Sequence, residues 1–203
     1  MKAEIYTTTE DGKLCRDSIF SVKDPGEENQ VLNIYKEVKD QIFEGFGGAV
    51  TDAAGYVFSL MTPEQQEEML NTYFNEDEMG YVQVRIHMDS CDFSTHMYEA
   101  DPEEEDAELE KFSFEDTEKY IMPLLEAAQR KAGKKLKIML SAWSPPAYMK
   151  TNGQRKKGGS LKPEYRERWA EYLCRYAEEF QKRGYEVNRM SVQNEPKAVQ
   201  EWD

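Results

Sequence analysis

The stretch PEYRERWAEYLCRYAEEFQKRGYEVNRMSVQNE, residues 163–195, runs a helix into a strand and ends on an acid. Tyr165, Trp169, Tyr172, Leu173, Tyr176 and Phe180 recur at spacings of three and four, which puts them on one helical face. Gly184 can end that helix, because glycine adopts the left-handed cap conformation without strain. VNRMSVQNE (187–195) then reads as a strand.

The same alternation extends upstream. In GYVQVRIHM (80–88), Val82, Val84 and Ile86 repeat with period two, a strand pattern. LKIML (136–140) is a short buried strand, and QIFEGFGGAV (41–50) reads as a strand running into a glycine-rich turn. TPEQQEEMLNTYF (62–74) opens with a capping box, with Thr62 as N-cap, Pro63 at the first helical position and Gln65 reaching back. Another helical stretch carries Tyr120, Ile121, Leu124, Leu125 and Ala128 on one face, with a break expected at Pro123. The order β-α-β-α-β-α-β predicts an α/β fold with a parallel sheet. Residues 1–40, polar and turn-rich, form a separate N-terminal β segment in this reading, and 41–203 form the main domain. EADPEEEDAELE (99–110) reads as a solvated loop, with cation binding as the alternative.

Composition narrows the function classes. A net charge of −14 argues against a broad nucleic-acid surface and against docking on anionic lipid. No run approaches the roughly 18 apolar residues of a membrane-spanning helix. MKAEIYTTTEDGKLC lacks the apolar stretch of a secretory signal, so a cytoplasmic location is expected. Cys15, Cys91 and Cys174 are too scattered for a disulfide framework or a zinc site. His87 and His96 are the two histidines and no H-E-x-x-H occurs, so no metal is implied. GFGGAVTD is not G-x-G-x-x-G and GGSLKPE lacks the GK[ST] of a phosphate loop, so no cofactor is implied. No G-x-S-x-G nucleophile elbow is present.

Polar and aromatic residues gather at the carboxyl ends of the strands: Thr51-Asp52, His87 to Asp92, Trp143 to Pro146, and Asn194-Glu195. Both a closed (β/α)8 barrel and an open sheet bind ligands there. Glu195 should project into a cleft, with Pro196 biasing it toward extended backbone. Asn194 offers a donor and an acceptor to a sugar hydroxyl. Trp143 offers an indole face to a pyranose, and Asp52 can accept from two hydroxyls. Arg85, within a strand, wants a carboxylate partner. Each has a plainer reading. Trp143 can be core, Asp52 an N-cap, Arg85 a structural ion pair, and the histidines packing or surface residues.

Five blocks then change the weighing: FEGFGGAVTDAAG, VRIHMDSCDFS, SAWSPPAYMKTNG, GGSLKPEY and QNEP. In order and spacing they resemble glycoside hydrolase family 30, which includes glucosylceramidases. The resemblance runs from about residue 40 onward. It implies a (β/α)8 TIM barrel with a side β-domain and retaining cleavage of β-glycosides, here of a terminal β-glucosyl group in a β-glucoside or glucosylceramide-like substrate. By the same resemblance Glu195 is the general acid/base, and Asn194 binds the sugar 2-hydroxyl. Asp52 and Trp143 line the sugar pocket, and Arg85 steadies the catalytic carboxylates. His87 departs from the proline common in the animal enzymes. The resemblance further implies an incomplete barrel of four βα units. Its nucleophile and the C-terminal half of the barrel, a candidate partner, would lie beyond Asp203. The competing reading is a stand-alone glycan-binding or inert product.

Overall fold

The computed structural model describes residues 5–10, 14–17 and 35–202. The chain divides into two compact units, Met1–Phe43 and Glu44–Asp203. In the first, β1 (Ile5–Thr8) pairs antiparallel with β2 (Leu14–Asp17), Ile5 opposite Asp17.

The second unit is built on a four-stranded parallel sheet in sequence order: β3 (Gly47–Ala49), β4 (Gln83–Met88), β5 (Lys137–Ala142) and β6 (Glu186–Ser191). β4 and β5 match residue for residue from Gln83–Lys137 to Met88–Ala142, while β6 slips register between Ile138 and Met139. The period of two divides each strand. Val84, Ile86, Met88, Ile138, Leu140 and Ala142 enter the apolar core. The alternate positions, among them Arg85, His87 and Ser141, carry the polar groups.

β3 differs from the sequence expectation. The strand falls on the glycines themselves, and the apolar residues before them are not in it. A Cβ on Gly47 would stand 2.2 Å from the Gln83 carbonyl oxygen, so β3 lies closer to β4 than any side chain allows.

Four helices cover the core face. α1 (Asp52–Leu60) is absent from the sequence reading; Thr51 is its N-cap, the Thr51 hydroxyl accepting from Ala54 N–H at 3.1 Å. Its Gly55 allows the helix to touch the backbone of the helix across from it, since a Cβ there would lie 2.2 Å from the Tyr120 carbonyl oxygen. α2 (Pro63–Phe74) carries the expected capping box: Thr62 N–H donates to Gln65 Oε1 at 2.9 Å and Gln65 N–H to Thr62 Oγ1 at 3.3 Å. α3 (Glu115–Ala132) runs unbroken through Pro123, contrary to the expected interruption. Pro123 is exposed while Ile121, Met122, Leu124 and Leu125 are buried, so packing on both sides holds the turn that proline weakens. α4 (Arg166–Lys182) buries Trp169, Tyr172, Leu173, Tyr176 and Phe180, and Gly184 beyond it has φ 83°.

The acidic loop 99–110 has a built-in cation. Arg168 of α4 donates to the carbonyl oxygens of Glu103, Glu104 and Asp106 at 2.6–2.7 Å. Burial pushes the neighbouring Asp101 carboxyl above its usual range. Among the described residues no helix is long and apolar enough to cross a membrane.

Two stability outcomes follow from the helix contacts. Gly55→Ala should destabilise by about 1–3 kcal/mol in chemical denaturation, the clash outweighing the roughly 1 kcal/mol gain in helix propensity. A stabilised variant would show that α1 is not seated on α3. Pro123→Ala should stabilise by about 1–3 kcal/mol, because it restores an interior helix hydrogen bond.

Candidate active site

The carboxyl ends of β3 to β6 deliver one continuous set of contacts. Arg85 points away from the helices and donates through Nη2 to Ser141 Oγ at 2.8 Å and to Asn194 Oδ1 at 2.7 Å. Its guanidinium lies 4.6 Å from the Trp143 ring centroid. These partners are a hydroxyl, an amide and an indole, where the sequence reading expected a carboxylate. Arginine only donates, so the Asn194 carbonyl must face it and the Asn194 NH2 is left to donate elsewhere.

Asn194 is also fixed through its backbone. Its N–H donates to the Ala142 carbonyl at 2.6 Å, continuing the β5–β6 pairing past Ser191. Gln193 Nε2 donates to the carbonyls of Trp143 (2.6 Å) and Asn194 (2.8 Å). Glu195 comes next, exposed and at φ 43°. The extended conformation expected from Pro196 does not occur. The chain turns instead, with Ala198 N–H donating to the Glu195 carbonyl at 2.8 Å. A left-handed non-glycine residue costs about 1–2 kcal/mol, and such strain concentrates at functional sites. The Glu195 carboxylate accepts from Gln200 Nε2 at 3.1 Å.

Trp143 is held on three sides. Its Nε1 donates to Asp92 Oδ1 at 3.0 Å, His87 meets it edge-on with centroids 6.4 Å apart, and Arg85 lies on its ring. The indole is half-buried, so a pinned aromatic face remains accessible.

The two candidate aspartates differ. Asp52 is the first residue of α1 and only 2% exposed; its carboxylate accepts from Thr95 N–H at 2.6 Å. Asp92 is exposed beside Trp143, and the sequence reading named it only within the polar stretch His87 to Asp92. Its place inside SCDFS, just past the end of β4, was the available signal. His87 is buried and connects the two regions. Asp52 N–H donates to its Nε2 at 3.0 Å, so Nε2 must be the acceptor and Nδ1 carries the proton toward the Asp89 carbonyl, 2.5 Å away.

Asp89, at φ 58°, is an anchor in the interior. Its carboxylate accepts from the Tyr172 hydroxyl (2.7 Å), the Tyr176 hydroxyl (2.8 Å), Ala100 N–H (2.9 Å) and Arg155 Nη1 (3.1 Å). Burial, then the Asp89 charge, pushes both phenols well above their ordinary range and keeps them as neutral donors. Arg155, which the sequence reading missed, also donates to the carbonyls of Ser90 (3.1 Å) and Ser144 (3.2 Å). It joins the loops after β4 and β5.

A cleft of about 450 Å³ opens beside Trp143, Asn194 and Glu195. A groove of about 570 Å³ lies between α2 and α3 in the helical layer and contains none of these residues. Among the described residues, no group of three or more histidine, cysteine, aspartate or glutamate side chains is arranged to hold a metal ion. The cleft offers a carboxylate at Glu195, an amide donor at Asn194 and an aromatic face at Trp143. Together they match a ligand rich in hydroxyls with one apolar face.

Lysosomal acid glucosylceramidase of Mus musculus is 32% identical over 173 residues, 83% of this chain and 34% of that protein. SrfJ from Salmonella typhimurium superposes with a TM-score of 0.76 at 39% identity, covering 80% of this chain and 36% of that one. A solved endo-beta1,6-glucanase superposes with a TM-score of 0.76 at 26% identity, covering 96% and 43%. The chain spans 34–39% of the length of the curated relatives it matches. Residues 43–202 match the model of the glycosyl hydrolase family 30 TIM-barrel domain. The chain belongs to glycosyl hydrolase family 30.

Proposed function

We propose that these residues form the acid/base side of a retaining β-glycosidase of glucosylceramidase or β-glucosidase type. The supporting observation is Glu195 at the end of β6, beside an Asn194 whose orientation Arg85 dictates. In the first step Glu195 donates its proton to the glycosidic oxygen as the bond to the anomeric carbon breaks. A second carboxylate, about 5–5.5 Å away in such enzymes, attacks that carbon. In the second step Glu195 takes a proton from water, which releases the sugar. The Asn194 amide donates to the sugar 2-hydroxyl and Trp143 carries the apolar face of the ring. Asp92, being exposed, presents its carboxylate to the sugar more directly than the buried Asp52, which supports the pocket from behind.

The nucleophile and the remaining barrel strands come from outside residues 1–203 in this proposal. Two observations favour that. The buried strand-end carboxylates are engaged, Asp89 by tyrosines and Arg155 and Asp52 by Thr95. β3 and β6 each pair on one side only among the described residues, as the edges of a partial barrel would. The remaining part of the barrel is then the partner of this one. The competing reading, a chain that binds glycans without cleaving them, rests on the same cleft.

The isolated 203-residue chain should show no turnover of an aryl β-glucoside above buffer. Turnover that Glu195→Gln abolishes would place the nucleophile within these residues and overturn that part. In a protein extended through the remaining strands, Glu195→Gln should lower kcat/KM on alkyl β-glucosides by about 10²–10⁴. The loss on 2,4-dinitrophenyl β-glucoside should be far smaller, because that leaving group needs no proton. Equal losses on both would exclude Glu195 as the acid; no turnover even in the extended protein would favour the binding reading.

A further inference from the structure

The acidic loop 99–110 folds around a buried carboxyl group that the chemistry of the cleft does not use. Asp101 is fully buried, and its Oδ1 accepts from Glu103 N–H at 3.0 Å. Among the described residues no N–H or hydroxyl donor reaches its Oδ2. Arg168 lies beside it, yet Nη2 stands 4.0 Å from that oxygen. The guanidinium gives Nη1 to the Glu104 carbonyl at 2.6 Å and Nη2 to the carbonyls of Glu103 and Asp106 at 2.7 Å, and its buried Nε has no acceptor. An ionised carboxylate there would draw the guanidinium into a close ion pair, because a buried charge left unpaired is costly. The arrangement is that of a carboxylic acid. Asp101 instead meets a second carboxyl group, that of Asp106, which also accepts from Lys111 N–H at 2.6 Å. Two carboxyl groups in hydrogen-bond contact need one proton between them.

We propose that Asp101 and Asp106 share one proton and form a latch that holds the acidic loop on α4 in mild acid and loosens it as the pH rises. This is independent of the role given to Glu195. Asp101 donates from Oδ2, and the Asp106 carboxylate accepts. Burial, with the Asp106 charge adding to it, pushes the Asp101 carboxyl above its usual range, and the Lys111 N–H bond holds Asp106 below its own. The stability Asp101 contributes is complete below the ordinary aspartate range and is lost as pH rises through the raised value. The stability Asp106 contributes is present above that range and is lost as pH falls through the lowered value. The latch is closed between the two. The neighbouring groups leave the proton to this pair. From α4, the Tyr172 hydroxyl accepts from Asp101 N–H at 3.1 Å, and after β5 the Tyr148 ring lies under Arg168, its centroid 4.8 Å away. Burial keeps both phenols neutral. Within the loop, Lys111 Nζ turns to Glu103, 3.7 Å away, and the Glu104 carboxylate takes the Tyr165 hydroxyl. The latch is joined to the interior, since Tyr172 also donates to Asp89, as does Ala100 N–H.

Carbon-13 signals of the side-chain carboxyls, followed in the 203-residue chain between about pH 2 and pH 8, should show Asp106 titrating below the ordinary aspartate value of about 3.9 and Asp101 above it. Asp101→Asn supplies an amide N–H that keeps the bond to Asp106 without a titrating proton. Its urea midpoint should exceed that of the unsubstituted chain at about pH 7 and meet it near about pH 4. Hydrogen exchange at the Lys111 and Ala100 amides should be at least about tenfold slower in Asp101→Asn at about pH 7, the worth of one hydrogen bond to a charged group. An Asp101→Asn chain that is less stable than the unsubstituted chain at about pH 7 and equal to it in acid would mean an ionised Asp101 paired with Arg168, and would overturn the proposal. The carboxyl titration of the unsubstituted chain decides the matter even if the variant does not fold: both aspartates titrating together near the ordinary value would overturn the latch.

Discussion

The buried ion pair between Asp89 and Arg155, 3.1 Å apart with both side chains nearly inaccessible, sets the position of everything at the strand ends. Two charges in an apolar interior lose several kcal/mol of hydration each, and only close geometry with further hydrogen bonds offsets that loss. Here two tyrosine hydroxyls and an amide share the aspartate, while two loop carbonyls share the arginine. The tyrosines come from α4, the aspartate from the end of β4, and the arginine from the long loop after β5. One electrostatic arrangement therefore ties a helix and two loops to the same point.

From that point the order propagates outward. The Asp89 carbonyl fixes the His87 tautomer, His87 holds the start of α1, and His87 together with Arg85 and Asp92 fixes the Trp143 indole. Arg85 in turn orients Asn194. The interior pair does no chemistry itself. It stabilises the positions of side chains that face the cleft, and hydrogen bonds made by His87, Arg85 and Asp92 complete the chain.

Periodic patterns were legible from residue types: the alternation in β4, the aromatic stripe of α4 and the capping box of α2 all appear where the spacing puts them. The positions that went unread depend on contacts between distant segments. β3 and α1 are defined by missing side chains, at Gly47 and Gly55, and an absent Cβ has no periodicity. α3 continues through Pro123 because neighbours on both sides are buried, a fact about packing and not about proline. Glu195 was locatable from SVQNEP, but its left-handed backbone was not, since local preference argued for the opposite. Arg155 lies in a lysine-rich loop that looks solvated, and nothing near it in sequence signals burial.

Arg85 and Asn194 stand 109 residues apart in the chain yet meet at 2.7 Å. A ribosome adding about 5–20 residues per second needs on the order of 5–20 s to make the intervening segment. For that interval the emerging sheet carries a guanidinium on its polar face without the amide that later receives it. The order of synthesis thus leaves this contact open until β6 arrives, and the β6 end closes what β4 has held ready since early in the chain's emergence.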